Sequence, residues 1–432
     1  MKRRIMESWK RMGILLAAGM FVTQMTGCAK VELPIMQQPK EPEDDYEPVN
    51  RILKIKPEWD TFDQAYLHFA FDLMQRTKEE QENMMLSPLS VMTALTMTAN
   101  GAEQNTRAQM EEILYQGNRM EEMTPLLFEY IHKLPSTDQV SMKQANSIWV
   151  RDDFSVREDF IKANQEQYRA EIYRKQFDDQ LVGEINNWVD EKTDHRIDCI
   201  LQKLDPDAAM YLINAIAFEG KWDTLYEENQ IHKNCFFTPE SGDAENVTML
   251  SSEENTYFED DDTIGFCKPY RDGYSFAVFL PKEEGSMDEY LAKWDEKKWE
   301  DLMLTMDNDT VVQVQIPCFV AEYECEMSEI LKEAGMTDAF DAEAADFSKM
   351  ADLLEGEKLY IGSVKHKTYI ELDENGTRAS AVTSVEMLAE SCVEQKEIRR
   401  VFLDRPFIYA IIEDETQLPV FMGVVEHIGE TQ

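Results

Sequence analysis

Basic side chains are scarce in this chain of 432 residues: 43 lysines and arginines stand against 85 aspartates and glutamates, a formal net charge of −42. A field of that sign repels phosphate backbones, which excludes nucleic acid as a partner. Histidine is rarer still. The six histidines form no HExxH or HxxxH spacing and the cysteines no CxxC pair, so no metal site is expected. A GxSxG elbow and a glycine-rich phosphate loop are also missing, which argues against an enzyme and implies no cofactor. What is present is an ordinary globular composition, 43% hydrophobic and 10% aromatic, sufficient for a sizeable core.

The amino terminus reads differently from the rest. Lys2, Arg3, Arg4, Lys10 and Arg11 precede an apolar run from Met12 to about Val22, the pattern of a secretory leader and too short to cross a bilayer. Met25-Thr26-Gly27-Cys28 resembles a bacterial lipoprotein box, so residues 1–27 are expected to be removed and Cys28 to carry lipid. That predicts an extracytoplasmic protein, anchored through the lipid on Cys28 to the membrane of a bacterial cell surface. Losing five basic residues and one acidic residue with the leader leaves a mature net charge of −46. Residues 28–59 hold five of the fifteen prolines, at 34, 39, 42, 48 and 57, and read as an extended acidic stalk. No further linker or repeat follows, so residues 60–432 are expected to form one domain. Within it, Cys199, Cys235, Cys267, Cys318 and Cys325 are expected to be buried single thiols.

Helical spacing is clear over Thr61–Glu80, Thr106–Tyr115, Arg157–Tyr168, Leu181–Lys192 and Met327–Ala334. Ser87-Pro88 supplies a cap and a first-turn proline for a further helix, and Asn100-Gly101 is expected to supply a left-handed stop at its other end. Strands are expected at Tyr211–Phe218, Ser275–Leu280, Thr310–Ile316, Lys358–Leu372, Phe407–Ile412 and Val420–Val425. Helices therefore dominate the first half and strands the second, an α+β class. The connection from Asp373 to Arg400 is too long for its place between two strands, which marks it as functional or disordered. Thr377, Ala379, Ala381, Thr383, Val385, Met387 and Ala389 form an uncharged alternate set, and every charge falls on the other set. Such a segment is patterned to enter a sheet.

Several blocks, in order, resemble the serpin family: Asn83–Gly101 (NMMLSPLSVMTALTMTANG), Asn105–Leu114, Ala145–Trp149, Ile185–Val189, Leu212–Ile216 with Gly220 and Trp222, Asp346–Ser348, Val364–Lys367, Glu374–Thr377, Asp404–Phe407 and Pro419–Gly423. The resemblance implies helices packed around three mainly antiparallel β-sheets, with an exposed reactive-centre loop at about 373–400. It implies a monomeric suicide-substrate inhibitor that traps a serine or cysteine protease covalently as its cut loop enters the main sheet. The loop hinge would comprise Glu374, Gly376, Thr377, Ala379, Ala381 and Thr383, with Arg378 departing from the family's usual glutamate. The family's hinge length places the reactive bond at Glu390-Ser391, with Leu388, Ala389 and Cys392 as alternatives. Ser87, Ser90, Asn214 and His366 would form the shutter that holds the sheet closed, His366 being expected as a core histidine without a pH role. Trp222 would mark where the sheet opens. The competing expectation is a non-inhibitory surface binding protein of the same fold.

Overall fold

The computed structural model describes Tyr46, Pro48, Leu53, Lys54, Lys56 and residues 58–428, apart from 80, 169, 206, 207 and 378–397. Two sheets of six strands and one of four organise it. The main sheet runs in the order Phe319–Glu326, Ser363–Asp373, Gly376–Thr377, Met210–Lys221, Val140–Arg151 and Glu171–Lys175. A second six-stranded sheet is built around Tyr274–Pro281, Phe407–Glu413 and Pro419–Val425, whose residues are almost all buried. The four-stranded sheet has Ile398–Phe402 at one edge and Ile231–Phe237 at the other. Most pairings are antiparallel; Ser363–Tyr369 against Tyr211–Ala217 is a parallel exception in the centre of the main sheet.

Local chemistry explains the helices. Asp60 accepts from the backbone of Phe62 and Asp63, and Asp63 answers to the backbone of Asp60, so a capping box starts Thr61–Thr77. That helix stops at Thr77 rather than Glu80. Pro88–Ala99 is buried on every face, between the two large sheets, which is why its sequence shows no polar stripe. Asp179–Lys192 lies outside the main sheet and forms a separate apolar cluster with it, through Leu181, Ile185 and Val189 against Trp149, Tyr211 and Ile213.

Several elements differ from expectation. Met120–Lys133 is helical despite Pro125. Val140–Arg151 and Glu171–Lys175 put strands in the first half. Residues 358–362 precede the strand that begins at Ser363, although Leu359 and Ile361 are buried. Arg399 and Arg400 belong to the strand Ile398–Phe402, so the long connection ends earlier than position 400. Of the five body cysteines only Cys267 is fully buried; the other four are half-buried, and all five are free thiols. Parts of the stretch expected to be a stalk touch the body: Leu53 is 3% exposed, and Lys56 pairs with Asp63 at 2.6 Å.

Candidate functional site: a gap in the main sheet

The two central strands of the main sheet are paired below and parted above. From Ser363 to Tyr369 the strand lies directly against Tyr211–Ala217. Beyond that point Gly376 and Thr377 stand between them, Thr377 opposite Leu372 on one side and Gly220 on the other, Gly376 opposite Asp373 and Lys221. The chain has turned back on itself to fill the top of the gap.

The turn is fixed by its own side chains. The Asp373 carboxylate accepts from the backbone N–H groups of Asn375 (2.7 Å) and Gly376 (3.2 Å). Burial nevertheless pushes its pKa above the ordinary aspartate value. Trp222 holds the turn from outside: its backbone N–H donates to Asn375 O at 3.0 Å and its indole to Asp373 O at 3.0 Å. Tyr226 donates its backbone N–H to Glu374 O. The Trp222 ring stacks on Tyr270 at 4.4 Å, and the Tyr270 hydroxyl meets that of Thr377 at 2.5 Å. Gly376 has φ of 150°, and a Cβ there would lie 2.1 Å from Gly220 O, so only glycine fits. Beside this corner Lys268 sits over the rings of Tyr226 (4.4 Å) and Trp222 (5.3 Å). Burial works against its charge, but Glu254 at 2.8 Å outweighs it and raises the lysine pKa.

Below the gap, a buried polar network ties the strands to the helix behind them. Ser87 caps that helix through Ser90 N and donates its hydroxyl to Val420 O at 2.7 Å. Its own N–H donates to His366 Nε2 at 3.2 Å, which places the imidazole proton on Nδ1, facing Asn214 Oδ1. Asn214 donates to Ser90 Oγ and to Asn146 Oδ1. His366 is fully buried, and desolvation lowers its pKa to about 3, so it stays neutral throughout the physiological range.

The structure thus gathers Ser87, Ser90, Asn214 and His366 in one network, and Trp222 with Glu374, Gly376 and Thr377 in another. Cys28, Ala379, Ala381, Thr383, Glu390 and Ser391 lie outside the described residues. Sequence reasoning missed Asn146, which stands opposite Asn214 across the sheet, and also Tyr226 and Tyr270. Asn146 lies within the Ala145–Trp149 block, so the signal existed but carried no role.

A profile of the serpin family (serine protease inhibitor) matches residues 64–428. The chain is a serpin. It is 30% identical over 363 residues to an uncharacterized serpin-like protein of Thermococcus kodakarensis, covering 82% of this chain and 83% of the relative. The crystal structure of the thermophilic serpin tengpin in its native state is similar with a TM-score of 0.81 and 41% identity, over 87% of this chain and 96% of that one. The same protein in its latent state gives a TM-score of 0.75 and 38% identity, over 87% and 100%. This serpin therefore has the protease-inhibitor type of fold, with the architecture expected from its sequence blocks. Among the described residues, Gly376 and Thr377 are the ones that stand in the gap.

Proposed function

We propose that this serpin is inhibitory: a target protease cuts the loop, forms an acyl-enzyme, and is trapped as the freed arm enters the main sheet. The observation that carries this reading is the register at the top of the gap. Thr377 is already buried between the two central strands, with its side chain on the face that meets Tyr270. Side chains alternate along a strand, so Ala379, Ala381 and Thr383 would follow Thr377 onto that buried face, and Arg378 would fall on the other. The uncharged set continues to Ala389, and an arm from 377 to 390 would reach roughly 45 Å at ~3.3 Å per residue, enough to run the full length of the neighbouring twelve-residue strand Met210–Lys221 at about 40 Å.

The bond attacked is proposed to be Glu390-Ser391. Residues 1–27 are proposed to be a lipoprotein leader and Cys28 the attachment point, so the protein works as a monomer on the outside of a membrane. The test is incubation with serine and cysteine proteases of differing specificity, followed by denaturing electrophoresis and mass spectrometry. A covalent adduct with a loop cut near residue 390 is expected; a cut without any adduct would refute inhibition.

A further inference from the structure

One helix covers the lower part of the main sheet and leaves the upper part open. On Val140–Arg151, Ala145 and Trp149 pack against Asp179–Lys192, and on Met210–Lys221 so do Tyr211, Ile213 and Ala215. Alternation puts Ser141 and Lys143, and likewise Glu219 and Lys221, on that same face. The helix ends at Lys192, and the turn after it brings Arg196 to Glu219, to which Arg196 Nε donates at 2.7 Å. A groove of about 400 Å³ lies beside this bridge, within the size range of small-molecule sites. Ser141, Lys143, Arg196, Glu219 and Lys221 line it, together with the exposed Asp138. Lys143 and Lys221 are half-buried, yet among the described residues neither side chain donates a hydrogen bond or comes within 4 Å of a carboxylate. The other described lysines that are buried or half-buried each bridge one. With 85 acidic residues to 43 basic ones, a shortage of carboxylates does not explain the difference. On the sheet between these two lysines, the Ser141 hydroxyl is buried without a hydrogen-bond partner among the described residues. Arg196 and Glu219 offset each other, so the groove presents two unpaired ammonium groups against one solvated carboxylate.

We propose that this groove binds a small multivalent oxyanion of the phosphate type, held by Lys143 and Lys221, with the Ser141 hydroxyl donating to it. Two ammonium groups call for at least two negative charges, and lysine serves phosphate as a point charge. Lys143 stands opposite Ala217, so it and Lys221 are four residues apart along the strands, about 13 Å. A ligand with charge at both ends suits that separation better than a single-centred ion. The negative field of the chain repels a long polyanion that must cross the whole surface, but salt screens it over about 8 Å, so a small ion feels chiefly the groove. The site does not depend on the inhibitory reading of the loop. It lies against Gly220 and Lys221, which pair with Thr377 and Gly376, so an occupant adds a contact to the strand at the entrance to the gap and stabilises the form that binds it.

The test is titration calorimetry of the purified protein with inorganic pyrophosphate, backed by its thermal midpoint with and without the ligand. One site per chain and a raised midpoint are expected. Lys143→Gln and Lys221→Gln should each weaken binding about tenfold, the loss of one charge-assisted hydrogen bond, and the double variant should show no binding. Both side chains reach the surface, so the ligand-free midpoints should match the parent and separate lost binding from lost folding. Lys162→Gln removes an exposed lysine on the helix Glu158–Tyr168 and should leave the affinity unchanged. Three results would overturn the proposal: no binding at millimolar pyrophosphate, binding that survives the double substitution, or a loss with Lys162→Gln as large as with Lys143→Gln, which would mark a general charge effect.

Discussion

Replacing Gly376 by alanine tests the gap most directly. At φ of 150° any side chain is strained, and the new Cβ would meet Gly220 O at 2.1 Å and Lys221 Cα at 2.8 Å, both backbone atoms that cannot rotate away. Backbone strain of this kind costs about 1–3 kcal/mol. The chain can escape it only by withdrawing Gly376 and Thr377 from the sheet. Withdrawal forfeits the hydrogen bonds that Trp222 and Tyr270 make to the turn, each contributing about 0.5–1.5 kcal/mol. The cheaper of the two routes caps the loss at about 1–3 kcal/mol. If about 2 kcal/mol of it persists while the arm enters, insertion slows about thirtyfold, because each 1.36 kcal/mol is a factor of ten in rate. The acyl-enzyme then has time to hydrolyse. The assay is the number of serpin molecules consumed per protease trapped, together with the thermal midpoint of the intact protein. An unchanged ratio with a midpoint within a degree of the parent would show that Gly376 is not the entrance to the gap.

Three further outcomes are expected. His366 is held neutral with a pKa of about 3, against 6.5 when exposed, so its contribution is complete above pH 6.5 and is lost as the pH falls towards 3; stability should drop by about 2 kcal/mol between pH 7 and pH 5 from this group, and denaturant titrations of His366→Gln should lack that component. Ala381→Glu should convert the inhibitor into a substrate, because a carboxylate on the inward set must be buried without a partner; adducts that survive denaturation at the parent yield would count against strand insertion. Cys28→Ser should release the protein from membranes into the soluble fraction, and continued sedimentation with membranes would dismiss lipid attachment.

Reading the sequence succeeded where a side chain's neighbours are close in the chain. The cap at Ser87 depends on spacing, which is visible without a fold, and the helix does end before Asn100-Gly101, although Asn100 is right-handed (φ −59°, ψ −24°) where the sequence predicts a left-handed stop. It failed where polarity concealed burial. Val140–Arg151 contains Gln144, Asn146 and Ser147, residues that suggest a loop, yet Asn146 and Ser147 are buried and each has a hydrogen-bond partner. Pro125 similarly obscured the helix Met120–Lys133, whose other residues keep Met123, Leu127 and Tyr130 on one buried face.

The linear order of residues therefore settled the family and the class of fold, because these rest on local pattern and on blocks of adjacent residues. Only the folded chain decided which groups meet. His366 reaches Asn214 across 152 positions, Thr377 reaches Tyr270 across 107, and Tyr46 reaches Asp223 across 177. Such pairs are set by strand register and by the close packing of sheets on helices, and neither is written in the periodicity of any one segment.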